Sequence, residues 1–273
     1  MQDTVKTWLT EGTVDIFLGY KMVEGHPIPH GFNRDRLDEI DEMVTGPARY
    51  PLEKFATQLL QMHPDAKIGI LARDCTKRAL NVLTIWQQIS PGQIQTLQVN
   101  CCPSPLGSNT DCSYLQPADT GAYKAAHGVD GSQSLQALEQ MPEEERFDRW
   151  MYEFQKCIKC YGCRNVCPMC FCRECSLENK DLVGNGHLPP DIPIFHLVRA
   201  VHMAGRCIDC GLCEEACPAE IPLRMLYRKI NDMMGNLFDY HTGSSPDQPP
   251  FSLLGDKPST GLAPMTAEAA KNE

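Results

Sequence analysis

The stretch Cys157-Ile-Lys-Cys160-Tyr-Gly-Cys163-Arg-Asn-Val-Cys167-Pro168 is written twice in this chain, returning as Cys207-Ile-Asp-Cys210-Gly-Leu-Cys213-Glu-Glu-Ala-Cys217-Pro218. Both copies follow C-x2-C-x2-C-x3-C-P, the thiolate spacing that holds cubane iron–sulfur clusters. Two-residue gaps let the first three cysteines wrap one corner of a cluster. The fourth, followed by proline, ligates the other cluster of a pair. Zinc also accepts C-x2-C, but a tetrahedral zinc site needs four ligands and has no use for a C-x2-C-x2-C triplet. The double occurrence points to electron-transfer chemistry.

Outward from the motifs the pattern is helical. Ser134 to Lys156 reads as a charged helix that delivers the chain to Cys157. Ile192 to Gly205 forms another, with Ile194, Leu197, Val198 and Val201 marking one face, and Ile221 to Leu237 a third, opened by Pro222. Helix, motif, helix, motif, helix resembles the helical two-cluster ferredoxin module of the small iron–sulfur subunit of heterodisulfide reductase. It is similar too to the C-terminal half of succinate dehydrogenase iron–sulfur subunits. The resemblance implies crossed ligation, with Cys157, Cys160, Cys163 and Cys217 on one 4Fe–4S cluster and Cys207, Cys210, Cys213 and Cys167 on the other. Lys159 and Arg164 flank the first, and Asp209, Glu214 and Glu215 the second, so unequal potentials are expected.

Three more cysteines, Cys170, Cys172 and Cys175, follow the first motif at once, more than two clusters require. They are expected to give three ligands to a third 4Fe–4S cluster, with Cys75 or Cys102 as the fourth. The run from Cys160 to Cys175 resembles β subunits of formate dehydrogenases and of deazaflavin-coenzyme-reducing hydrogenases. Gly69-Ile70-Leu71-Ala72-Arg73-Asp74-Cys75-Thr76-Lys77-Arg78-Ala79-Leu80 is similar to that family's strand–Cys-Asp-x-Arg-Ala-Leu–helix segment, with Thr76 where aspartate is usual. The resemblance implies an electron-transfer subunit of a larger anaerobic redox complex, whose partners would be formate dehydrogenase, hydrogenase or heterodisulfide-reductase-like subunits. Some members bind FAD and reduce a soluble coenzyme, which is the alternative function. This chain has no G-x-G-x-x-G loop; were a flavin held, Arg73, Lys77 and Arg78 at a helix start would meet its phosphates.

The fold class expected is α+β. Residues 1–140 read as an α/β domain, 141–240 as the helical dicluster domain, and 241–273 as an irregular, Pro-rich tail, disordered or laid on a partner. Strands are predicted at Val14–Tyr20, Lys67–Ala72 and Thr96–Asn100, and helices at Pro51–His63 and Thr76–Ile89, giving one βαβ unit. Cys75 follows one strand, and Cys101 and Cys102 the next, so all three sit at carboxyl ends of strands, where ligands gather in open sheets.

Fifteen cysteines without a leader-like N-terminus argue for metal ligation in the cytoplasm rather than disulfides. No stretch approaches the ~20 apolar residues of a membrane span. A net charge of −10 disfavours a nucleic-acid partner, which needs a basic footprint. His187, His196 and His202, and the tryptophans Trp8, Trp86 and Trp150, read as packing or surface residues. No nucleophile–base pair supports independent catalysis.

Overall fold

The chain is an α+β protein, with a sheet and its helices first and the cysteine motifs among helices afterwards. A computed structural model describes residues 1–45, 50–99, 135–181 and 192–251. Cys101, Cys102, Cys112, His187 and the tail beyond Phe251 lie outside the described residues.

The first part runs α1 (Gln2–Glu11), β1 (Ile16–Val23), β2 (His26–Asn33), β3 (Met43–Val44), α2 (Leu52–Met62), β4 (Ile68–Ala72), α3 (Asp74–Ile85) and β5 (Ile94–Gln98). The sheet order is β2-β1-β4-β5, with β3 also pairing β1. β1, β4 and β5 are parallel, and β4–α3–β5 is the expected βαβ unit. Every residue of β4 is buried, as befits a strand covered on both faces. β1 and β5 each begin two residues from the predicted start.

β2 carries Pro27 and Pro29, residues that argue against a strand. It sits at the sheet edge, where a missing donor is tolerated. Glu24 and Gly25, with φ of 50° and 81°, form the turn between β1 and β2. Two successive left-handed residues are the signature of a hairpin turn that matches strand twist.

The second part comprises α4 (Leu135–Gln140), α5 (Glu143–Gln155), α6 (Gly162–Asn165), α7 (Ile192–Met203), α8 (Leu212–Glu215) and α9 (Leu223–Phe238). The single helix expected before Cys157 is two, broken at Pro142, which cannot donate to the preceding turn. Glu143, Glu144 and Glu145 then fill the first turn of α5, where the helix dipole favours anions.

α7 forms where the spacing predicts a helix, but most of its apolar stripe stays exposed. Ile194, Leu197 and Val201 are 54, 53 and 71 % exposed, while Phe195, His196, Arg199, Ala200 and Met203 are buried. The face turned to the interior carries Arg199, which donates to Cys170 Sγ.

One contiguous core joins sheet and motifs: Phe17, Ile70 and Leu83 belong to the same buried cluster as Phe154, Met169, Ile208, Ile221 and Tyr227. Lys54 of α2 donates to the carbonyls of Asn165 (2.5 Å) and Cys167 (3.4 Å). Arg78 of α3 donates to the Ile208 carbonyl at 3.0 and 3.3 Å. Residues 241–251 fold back on the chain itself: Asn81 donates to the Gly243 carbonyl (2.9 Å), and Phe251 packs edge-on against Phe238 and Tyr240.

Candidate metal centres

The two motif copies have one backbone. Lys159 and Asp209 occupy the same place in the repeat and share a left-handed φ, 50° and 53°; Tyr161 and Gly211 do likewise at 60° and 78°. That kink turns the Lys159 amide onto Cys157 Sγ at 3.4 Å, and the Asp209 amide makes the same bond to Cys207. Each loop then runs into a one-turn helix, α6 or α8, closed by equivalent bonds such as Val166 N to Gly162 O and Ala216 N to Leu212 O, both 3.0 Å. The copies touch where a Cβ on Gly162 would stand 2.9 Å from the Ala216 carbonyl oxygen.

Folding gathers the thiols in two crossed sets. Cys157, Cys160, Cys163 and Cys217 are electrostatic neighbours. Cys207, Cys210 and Cys213 are neighbours in turn, and Cys167 joins them around one cavity. Burial raises the Cys157 thiol, lifts Cys163 and Cys207 to about 11, and lifts Cys210 and Cys213 further still. Thiols so placed need a bound cation to become thiolates. Among the described residues no three Cys, His, Asp or Glu side chains close on a point that would hold a single ion. Cys167, Cys207, Cys210 and Cys213 ring a cavity instead, and amide N–H groups point at the sulfurs of both sets; this donor set fits an iron–sulfur cluster.

A second cavity is lined by Cys170, Cys172 and Cys175 together with Arg164, Arg199, His202 and Arg206. Arg199 donates to Cys170 Sγ at 3.1 Å and Arg206 to Cys172 Sγ at 3.8 Å. Cys170 is held down to about 5, first by a hydrogen bond with Cys167 and then, against its burial, by Arg199. Cys75 does not line this cavity; its thiol is an electrostatic neighbour of Cys210 instead. Arg206 stacks on Trp86 at 3.8 Å and also faces Phe171, pinning the loop after the first motif to α3.

Of the charges the sequence pointed to, Asp209 is buried, and the structure adds a buried Arg199 to it. Asp209 is paired with Arg224 (2.9 Å) and Arg228 (3.8 Å), so its charge is matched locally. Arg164 is paired with Glu178. Arg199, 2 % exposed, donates to the Cys163 carbonyl at 2.8 Å besides Cys170. No periodicity marks Arg199; the only signal was a charged residue on an otherwise apolar helix between two cysteine motifs. Of the residues proposed for a flavin phosphate, Arg78 is engaged with Ile208, Arg73 is buried over the Tyr20 ring, and Lys77 is exposed. His196 is a packing residue, stacked on Phe154 at 4.7 Å and kept neutral by burial, which lowers it to about 4.

Residues 200–222, the second motif and its flanks, match the family model for the 4Fe–4S binding domain. The chain carries a 4Fe–4S domain. Over 111 residues it is 41 % identical to the F420-dependent formate dehydrogenase subunit beta of Methanocaldococcus jannaschii, covering 40 % of this chain and 29 % of that one. Over 110 residues it is 46 % identical to the F420-dependent formate dehydrogenase 1 subunit beta of Methanococcus maripaludis, covering 39 % and 28 %. The resemblance to formate dehydrogenase β subunits that the cysteine runs carried is thus shown. The chain spans less than a third of the length of the relatives it matches. Among its described residues no helix is long and apolar enough to cross a membrane.

Proposed function

We propose that this chain is an iron–sulfur electron-transfer subunit, relaying electrons between a catalytic redox subunit and an acceptor within a cytoplasmic oxidoreductase complex of the formate dehydrogenase kind. The observation that carries this reading is the crossing of the thiol sets, Cys217 beside Cys157 and Cys163, and Cys167 in the cavity of Cys207, Cys210 and Cys213. Cys157, Cys160, Cys163 and Cys217 would hold one 4Fe–4S cluster, and Cys207, Cys210, Cys213 and Cys167 a second. Cys170, Cys172 and Cys175 would give three ligands to a third, with Cys75 or Cys102 as its fourth; the nearness of Cys75 to Cys210 favours Cys102. When bound, such clusters supply one-electron acceptors whose potentials follow hydrogen bonds to sulfur, local charge and exposure.

The chain's own residues supply the rest. Amides of Lys159 and Asp209 hold sulfurs in place. The core beneath Ile208 keeps water from the second set, and exposed Cys160 and Cys172 bring the first and third to the surface, where partners exchange electrons. In this reading the sheet region to residue 140 anchors the cluster module of 141–240, with 241–273 as a terminal arm. Iron and acid-labile sulfide per chain, on protein purified without oxygen, test the proposal. About twelve of each supports three clusters, and about eight supports two and removes the third. Zinc without sulfide overturns electron transfer.

A further inference from the structure

We propose that Arg199 is the shared positive charge of the cluster array: a buried guanidinium, placed in the wall between the two cavities, that donates to sulfur and raises the potentials of the clusters on either side. The inference rests on the electron-transfer reading above and assigns a positioning residue that the motifs do not contain. Arg199 lines both the cavity of Cys167, Cys207, Cys210 and Cys213 and the cavity of Cys170, Cys172 and Cys175. Its Nη1 lies 3.1 Å from Cys170 Sγ, and its Nη2 lies 2.8 Å from the Cys163 carbonyl oxygen. Its charge is felt by Cys163, Cys167, Cys207 and Cys213 as well, so one cation faces thiols of all three sets. The Tyr227 ring, 5.6 Å away, supports the cation with its face.

A charge this deep is costly unless compensated. Among the described residues Arg199 has no carboxylate partner, unlike Asp209, whose pairing with Arg224 and Arg228 closes on itself. Its Nε is buried with no hydrogen-bond acceptor from the protein. An orphan donor inside a protein favours whatever acceptor satisfies it. Thiolate and sulfide sulfurs are the acceptors that both adjoining cavities would offer. The guanidinium cannot lose its proton, so its charge is constant across the working pH. Adding one electron to a neighbouring cluster makes that site more negative by one unit and breaks no bond. A fixed cation nearby favours the reduced form and moves the potential upward. A single cation placed between two acceptors raises both together, which keeps the step between them shallow.

The test is a potentiometric titration followed by electron paramagnetic resonance, on the full chain without oxygen, for wild type, R199K and R199Q, each with its iron and sulfide count. R199Q is expected to move the second and third clusters to more negative potentials, the first less, with iron per chain unchanged. R199K, which keeps the charge and loses the planar fork, should move them by a smaller amount. Unmoved potentials in R199Q, or equal shifts in both variants, overturn the assignment. Should R199Q fail to hold iron, R199K against wild type decides: a negative shift at both sites supports the guanidinium as their shared donor, and a shift at neither overturns it. A wild-type chain with two clusters and no third also overturns it. Absence of iron and sulfide from wild type defeats the electron-transfer reading itself, before any variant is compared.

Discussion

The two cysteine loops share a backbone and differ in almost everything around it. Ile158 of the first is 55 % exposed, and Ile208, its counterpart in the second, 3 %. Cys160 is exposed, while the burial of Cys210 raises its thiol far above the usual range. At the matching left-handed position the first loop has Lys159 and the second has Asp209, buried between Arg224 and Arg228. The conformation therefore comes from the cysteine spacing and the turn it imposes. The environment comes from what packs outside: α3 through Arg78 and α9 through Arg224 enclose the second loop, while Lys54 reaches from the sheet region to the helix after the first. One loop is built as a surface contact and the other as an interior.

That contrast is easiest to break at the thiols. Cys210→Ser is expected to lose about four irons per chain together with much of the fold's thermal stability. Cys160→Ser loses the same iron with a smaller fall in melting temperature. Equal melting temperatures for the two variants would deny the difference in burial its consequence. Next in size is the charge at the shared kink. Asp209→Asn strands two buried arginines and should cost about 3–5 kcal/mol, whereas Lys159→Asn should stay within about 1 kcal/mol, read by chemical denaturation.

Glu53 lies on the second loop's side, an electrostatic neighbour of Cys210, and burial raises it to about 7 despite Arg73. The folded chain then holds this proton more tightly than the unfolded chain does, so stability falls as pH rises from about 4.5 to 7. Glu53→Gln should gain up to about 3 kcal/mol at pH 8 and almost nothing at pH 4.5, measured as melting temperature against pH. A gain independent of pH would exclude ionisation as its cause. Smallest is Gly211→Ala. The φ of 78° costs an alanine about 1 kcal/mol, and the added carbon would meet Arg224 at an ordinary 3.4 Å. The first loop already carries Tyr161 there, held by its hydroxyl donating to the Leu177 carbonyl at 2.8 Å.

Much of this was legible in the residues. The cysteine spacing gave the module, and β4, α2 and α3 stand within two residues of their predicted starts. What was not legible has physical reasons, the first being that single-chain patterns assume an apolar interior. The stripe Ile194, Leu197 and Val201 reads as a core face, yet the helix turns it outward. Its other side brings Arg199 to the thiols, a demand that hydrophobic periodicity does not encode. The edge strand β2 was hidden by Pro27 and Pro29, whose lost donors matter only in a central strand. The pairing of Asp209 with Arg224 and Arg228 joins residues about fifteen or more positions apart, beyond any local signal.

Cys217 beside Cys157 and Cys163 has a consequence for how the protein is made. On the proposed ligation neither four-thiol set is complete until the chain has been synthesised through both motifs. A ribosome adding about 5–20 residues per second leaves Cys157, Cys160 and Cys163 waiting roughly 3–12 s for their fourth partner. Delivery of iron and sulfide therefore belongs after translation of the second motif, and a nascent chain arrested between the two would emerge with thiols open to oxidation.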